Sequence, residues 1–459
     1  MTEKRPFHIL YALRYLRYGL LLCLVPMARA LLAFDLQSFY TALRQDAAIL
    51  AVFAVVALVL RRATAFWMDG QALHCEKGVL ARSHYTYARA GVAALEVARP
   101  LYCRLMGASK VTLYFKSHLQ PRTFDLYLKK QDAAALADAL LPARTDVNIF
   151  APTGFERLSL VMLSANILTS CAFAWMTLDR LDPLVGLDLQ QLAEQNIGRL
   201  AGLAARLMPA GLAAAATLVF LGGAVTFLYS FLHTFGFSVC RNGGVLISRG
   251  GLVTKLERRI LVSAVSACEV RVTPAARLLR RYPVYVSAGS FRGGDIPLMV
   301  FKKNSPHSPE ALLPGYAPAP PVLCDPARKS YMQYLWQPGA LLALALAVTG
   351  VALARMPALV PVLLVPDALL LAALAVAAEG YFREGICRNE NRSIGLRFTR
   401  RLTRCEVCVL TPDLAYTLFE TPFATSGGRC DVTVHLPCGL RYKLRGVLKY
   451  AVQELPFTL

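Results

Sequence analysis

The chain has 459 residues, 56% of them hydrophobic and only 17% charged, with a mean hydropathy of +0.45. That is too apolar for an ordinary soluble protein of this length. The formal net charge of +21 would suit a soluble nucleic-acid binder, but the long charge-free stretches beside it would not, so the basic excess points first to membrane topology.

Six apolar runs are predicted to cross a membrane as three hairpins: 16–34 with 43–60, 158–178 with 210–232, and 339–354 with 358–378. A span needs about 20 apolar residues to cross about 30 Å of hydrocarbon, and a paired helix satisfies its backbone internally, as lipid demands. The run 16–34 holds Arg29, which fits either a snorkelling side chain near a helix end or a tilted, re-entrant segment. Pro26 and Arg29 interrupt the apolar core that a cleaved signal would need.

Each hairpin is followed by a basic block with strand patterning. The expected order is hairpin 1–62 and block 63–145, hairpin 150–235 and block 236–316, a Pro-rich linker 317–330, then hairpin 331–380 and a divergent block 381–459. In the first block, period-two alternation predicts strands over 92–97, 110–115 and 123–129, with a helix over 132–141. The second predicts strands over 264–270, 282–288 and 296–301 and a helix over 308–313. The third predicts strands over 394–398, 403–410, 430–436 and 440–444, with a helical tail over 447–455. Three Glu-Val steps, each followed by a proline, mark the blocks as an internal repeat: Glu96 with Pro100, Glu269 with Pro274, and Glu406 with Pro412. Lys4, Arg5, Arg14 and Arg17 precede the first run and Arg61-Arg62 follow the second. The positive-inside tendency therefore puts both termini and all three blocks in the cytoplasm, in a multi-pass protein of the cell membrane. The 12 cysteines scatter without a disulfide framework, in keeping with that compartment.

An apolar helix pair followed by Trp67-x-Asp69-Gly70, Glu76–Val79 as Glu-Lys-Gly-Val, and Glu96-Val97 before Arg99-Pro100 resembles the bacterial pleckstrin-homology-like membrane proteins of the YdbT/YdbS type. The ordered succession carries the resemblance; it continues through Ser248-Arg249-Gly250-Gly251-Leu252 and fades in the third block. It implies a membrane α plus β fold, in which each of three transmembrane hairpins is followed by a cytoplasmic split β-barrel with a C-terminal capping helix. It implies no enzymatic reaction, and it suggests a membrane-protein partner of the same family.

Catalytic motifs are missing from the sequence: no nucleophile elbow, phosphate loop, zinc-protease pair or dinucleotide fingerprint is present. No cofactor is expected. Cys405, Cys408, Cys430, His435 and Cys438 could between them supply four zinc ligands. However, Cys405 and Cys408 sit in a predicted strand, where a three-residue offset sends side chains to opposite faces, and buried free cysteine is the preferred reading. The three marker glutamates are isolated carboxylates in separate blocks and make no dyad; they are read as strand residues pairing with a nearby arginine or backbone N–H. The basic residues Arg258, Arg259, Arg277, Arg280, Arg281, Arg400, Arg401 and Arg404 are candidates for contact with anionic headgroups or a partner, at about 1 kcal/mol for each exposed charge near an anionic surface. Nucleic acid is not an expected ligand, since the aromatic interleaving is missing. Together these features predict a non-enzymatic scaffold or binding protein at the inner leaflet, and the family resemblance implies a part in envelope integrity or resistance to membrane-active peptides. A transport component is the competing class, disfavoured because the runs hold almost no ionisable residue, Arg29 being the exception.

Overall fold

The computed structural model describes residues 3–11, 36–79, 82–116, 123–142, 147–152, 154–164, 210–294, 296–302, 309–313, 315–316, 331–356, 360–388, 393–400, 403–410, 415–420, 428–449 and 452. A short strand, β1 (Arg5–Pro6), precedes the helix α1 (Leu36–Arg62). A first strand set follows: β2 (Ala65–Met68), β3 (Ala72–Lys77), β4 (Ser83–Ala88), a 3-10 turn over Arg89–Gly91, β5 (Val92–Arg99), the short α2 (Leu101–Leu105), β6 (Ala108–Phe115), β7 (Thr123–Lys129) and α3 (Lys130–Leu140).

Then come β8 (Val147–Phe150), α4 (Gly154–Ser164) and α5 (Ala210–Thr234). The second set is β9 (Ser238–Asn242), β10 (Val245–Gly250), β11 (Lys255–Leu261), a 3-10 turn over Val262–Ala264, β12 (Val265–Val272), α6 (Pro274–Leu279), β13 (Tyr282–Ala288), β14 (Met299–Phe301) and α7 (Pro309–Leu312). The helices α8 (Tyr331–Arg355) and α9 (Val360–Arg383) lead into the third set: β15 (Gly385–Arg388), β16 (Ile394–Arg400), β17 (Thr403–Val409), β18 (Ala415–Phe419), β19 (Arg429–His435) and β20 (Arg441–Leu448).

Alternation fixes which face of each strand is buried. In β6 the side chains of Val111, Leu113 and Phe115 are fully buried, as are Leu126 and Leu128 on β7; α3 closes over them with Leu136 and Leu140. Each such side chain contributes about 1.5–3 kcal/mol by leaving water. A second core gathers around Val239, Leu246, Cys268 and Met299, and a third around Leu396, Cys430, Val432 and Leu444.

The sheets do not respect the order of the sets. The first sheet runs β1-β2-β3-β4, the second β7-β6-β5-β11-β10-β9-β8, the third β14-β13-β12-β17-β16-β15 and the fourth β18-β19-β20. Within a set the hydrogen bonding breaks between the third and fourth strands, at the 3-10 turn in the first two sets. The fourth strand of one set then pairs antiparallel with the third strand of the next. Pairing runs from Lys255↔Arg99 to Ile260↔Ala94 between β11 and β5, and from Ala267↔Val409 to Val272↔Arg404 between β12 and β17. Adjacent sets are therefore joined by continuous sheets rather than strung as separate barrels.

Six membrane helices arranged as three hairpins are not seen. Among the described residues, two helices are long and apolar enough to cross a membrane, Leu335–Arg355 and Leu363–Phe382. The run 16–34 lies outside the described residues, as does 165–178 of the third run. The described start of that third run belongs to α4, where Leu160 and Val161 are fully buried and Leu160 joins the core of the second set. Hydropathy registers that these residues avoid water; it does not distinguish lipid from a protein core.

Candidate functional site

Four of the arginines expected at a surface, Arg258, Arg259, Arg281 and Arg404, are instead largely buried in ion pairs. Arg258 on β11 faces Glu96 on β5, its Nε 2.8 Å from Glu96 Oε2, with both side chains four-fifths or more buried. Its neighbour Arg259 points to the opposite face, 6% exposed, and reaches Asp138 of α3 at 2.6 Å, Glu257 at 2.8 Å and the Leu141 carbonyl at 2.9 Å. Arg281 pairs with Glu156 of α4 at 3.0 Å. Arg277 on α6 pairs with Glu379 of α9 at 2.6 Å, and Arg404 reaches Glu379 at 3.6 Å and also Glu406.

A guanidinium withdrawn from water needs a carboxylate partner, and the shared sheets supply one. Arg258, Arg259, Arg281 and Arg404, each less than a fifth exposed, therefore hold the sets and helices together, whereas Arg277, 44% exposed, still meets solvent beside Glu379. Arg280 is exposed, in the left-handed conformation (φ 52°) that ends α6. Arg400 lies in β16, and Arg401 lies outside the described residues.

The marker glutamates also need correction. Glu96 and Glu269 occupy the fourth strands β5 and β12, and each is followed by a proline that opens a short helix. Pro100 is the N-cap of α2; Pro274 is the first residue of α6, whose N-cap Thr273 accepts from the Ala276 N–H at 3.1 Å. Glu406 instead lies in β17, a third strand, directly opposite Val270. Its place in the sheet corresponds to that of Glu257, which lies opposite Val97, and not to that of Glu96. Pro412 lies outside the described residues. Glu269 accepts from Arg271 at 2.7 Å and from the Tyr442 hydroxyl at 3.1 Å. Burial holds that hydroxyl well above its ordinary pKa.

The candidate zinc cysteines divide between faces. Cys405, Cys430 and Cys438 enter the third core, while Cys408 opposes Cys268 across the β12·β17 junction. All are buried and in no disulfide, and burial pushes the thiols of Cys268, Cys430 and Cys438 up. Among the described residues, no group of three or more His, Cys, Asp or Glu side chains could hold a metal.

Two features escaped the sequence reading. The first is a cleft of about 430 Å³ between the α8–α9 pair and the third set, bounded by Gln337 and Pro338 of α8, Ala373 and Ala377 of α9, then Glu384, Thr399 and the basic trio Arg441, Lys443 and Arg445. Successive odd positions of β20 share one face, so the three cations stand in a row. Lys443 pairs with Asp431 at 3.1 Å and is half exposed; Arg441 is exposed. The helix meets the sheet closely here. A Cβ on Gly380 would lie 2.5 Å from Thr399 Oγ1, and Glu384 accepts from the Thr399 N–H at 2.7 Å and from its hydroxyl. The alternation Arg-x-Lys-x-Arg was visible in the sequence, but nothing there placed it beside helix ends.

The second is Asp367, which lies within the run 358–378 and contradicts the reading of Arg29 as the sole ionisable exception. It is 6% exposed; Thr349 of α8 donates to its Oδ2 at 2.8 Å, while Oδ1 is buried without a hydrogen-bond partner.

The strand sets pack helices against split sheets, with arginine–carboxylate pairs across their joints. Residues 21–144 match the family model described as bacterial PH domain, a match that takes in α1 and the first strand set. Such domains are generally non-catalytic binding modules, and no enzymatic family is indicated. No match was found among curated proteins or among solved structures.

Proposed function

We propose that the chain is a non-enzymatic scaffold of the bacterial cytoplasmic membrane that holds linked PH-like sheets against the inner leaflet and serves envelope integrity or resistance to membrane-active peptides. In this reading α8 and α9 insert as a hairpin, with the strand sets and both termini on the cytoplasmic side. The observation that carries it is the basic row of β20 beside the ends of that hairpin. Gln337 lies in the first turn of one candidate span and Ala377 near the end of the other, so the cleft falls at headgroup depth. Trp336 and Phe382, 65% and 73% exposed, stand at the same level, as interfacial aromatics do. Anionic headgroup contact thus belongs to Arg441, Lys443 and Arg445 rather than to the arginines of the sheet joints. The three sets are read as copies of one ancestral unit, and a membrane partner of the same type remains part of this proposal.

Two measurements test it. The full-length protein should stay with the membrane fraction after an alkaline carbonate wash; release into the supernatant would remove the hairpin. Purified in mild detergent, it should retain phosphatidylglycerol over phosphatidylcholine by native mass spectrometry. Replacing Arg441, Lys443 and Arg445 together by Gln should abolish that preference. Equal retention of the two lipids would overturn the cleft reading.

Buried Asp367 is the one observation that favours a transport component instead, because intramembrane carboxylates often line ion paths. Solute flux into vesicles carrying the protein, lost in Asp367→Asn, would establish that alternative.

A further inference from the structure

The joints described above obey one rule twice: the fourth strand of a set takes the third strand of the following set as its antiparallel neighbour, β5 with β11 and β12 with β17. One strand of each kind is left over among the described residues. β4 is a third strand at the margin of the four-stranded sheet, and β18 is a fourth strand at the margin of the three-stranded sheet.

We propose that copies of this chain join head to tail, the free edge of β18 in one copy pairing antiparallel with the free edge of β4 in the next. The joint would be the third instance of the one already made twice inside the chain. Its chemistry suits pairing. Ser83-His84-Tyr85-Thr86-Tyr87-Ala88 and Ala415-Tyr416-Thr417-Leu418-Phe419 contain no proline and no lysine, and both are rich in the aromatic and β-branched residues that favour strands.

Protein edges are ordinarily blunted by Lys, Pro or bulges; within these two strands none of the three is found. Tyr85 is 39% exposed and Phe419 59% exposed, so each edge offers an aromatic side chain for cross-strand contact. β4 has six residues and β18 five, matching the six-residue ladders of the internal joints. The two edges differ, so the contact is heterologous, and repetition builds an open row or a closed ring rather than an isologous dimer. A second copy is the fitting occupant because one chain carries both halves of the joint.

This inference goes beyond the proposed function and rests on strand pairing alone, so it can fail while the membrane reading stands. Position Thr86 of β4 and position Thr417 of β18 are both exposed. Full-length Thr86→Cys and Thr417→Cys proteins, mixed in mild detergent and oxidised, should give a disulfide-linked dimer containing one of each. Either variant alone should give at least tenfold less, and the double variant should give a ladder of higher oligomers. Self-linking of Thr86→Cys as strong as in the mixture would mean symmetric β4 pairing and would overturn the proposal. Linkage of Thr417→Cys solely to a different protein would overturn it as well. Oligomeric mass provides a second readout that needs no cysteine. Wild-type oligomers should dissociate at least tenfold in Thr86→Lys or Thr417→Lys with near-ultraviolet circular dichroism unchanged, and a wild type that is monomeric at micromolar concentration would refute the joint.

Discussion

Arg258 and Glu96 are 162 residues apart in sequence, yet their side chains meet at 2.8 Å across the strands that join the first and second sets. The pair is what an isolated PH-like module would not need. Glu96→Gln or Arg258→Met leaves one partly buried charge unmatched and should cost about 1–3 kcal/mol, below the figure for a fully buried pair because a fifth of the glutamate side chain still meets solvent. The double variant Glu96→Gln/Arg258→Met should lose less than the sum of the single changes. Thermal unfolding of the four proteins in one detergent measures this, and additive losses would show that the pair is not coupled.

Gly289 makes a second contact between the same sets. With φ of +52°, a Cβ there would lie 2.3 Å from the Phe115 carbonyl oxygen and 2.6 Å from Ala93 Cβ. The adjacent Ser290 donates its N–H to that carbonyl at 2.8 Å and accepts from the Phe115 N–H at 2.9 Å. Gly289→Ala should therefore destabilise by about 2–4 kcal/mol, combining left-handed strain with overpacking. Ser290→Ala should cost about 1 kcal/mol. Limited proteolysis should cut Gly289→Ala in the turn between β13 and β14 much faster than wild type.

Alkaline pH should weaken the first core. Burial pushes the Cys75 thiol up from 9.0 to about 12. Below pH 9 both folded and unfolded chains keep the proton; between 9 and 12 the unfolded chain loses it while the folded chain does not. Stability contributed by the neutral thiol is lost as pH rises through that window, by up to about 1.4 kcal/mol per pH unit. The melting temperature of Cys75→Ala should fall less steeply between pH 9 and 10.5 than that of wild type. Parallel curves would exclude the thiol as the cause.

Asp367→Asn should stabilise the protein. The amide can still accept the Thr349 hydroxyl bond, and it removes a carboxylate whose other oxygen is buried without a partner. A gain of about 1–2 kcal/mol is expected, given the cost of a charge inside an apolar helix pair. A lower melting temperature would show that the carboxylate is matched by a positive group.

Local pattern carried far in this chain. Strands 123–129 and 282–288 coincide with β7 and β13, and 403–410 ends one residue beyond β17. Alternation names the buried face of a strand but not the strand beside it, so nothing local announced that β5 would lie against β11. The arginines misled for the same reason: Arg258 and Arg259 look like a basic surface pair until the carboxylates of another set are brought opposite them. Glu406 shows the converse failure, a shared tripeptide aligning strands that occupy different places in their sheets. The helical tail expected over 447–455 begins as strand, because Val447 and Leu448 continue the pairing of β20 with β19. Asp367 needed no structure to be noticed; it sat in plain view inside an apolar run.

During synthesis the ribosome delivers β5 long before β11. At about 5–20 residues per second, the 162 residues from Glu96 to Arg258 take roughly 8–32 s to emerge. Throughout that interval the nascent chain presents a raw, unfilled strand margin, and then a second one while β12 waits for β17. Chaperone dependence and misassembly on crowded polysomes should accordingly concentrate at these two waiting strands.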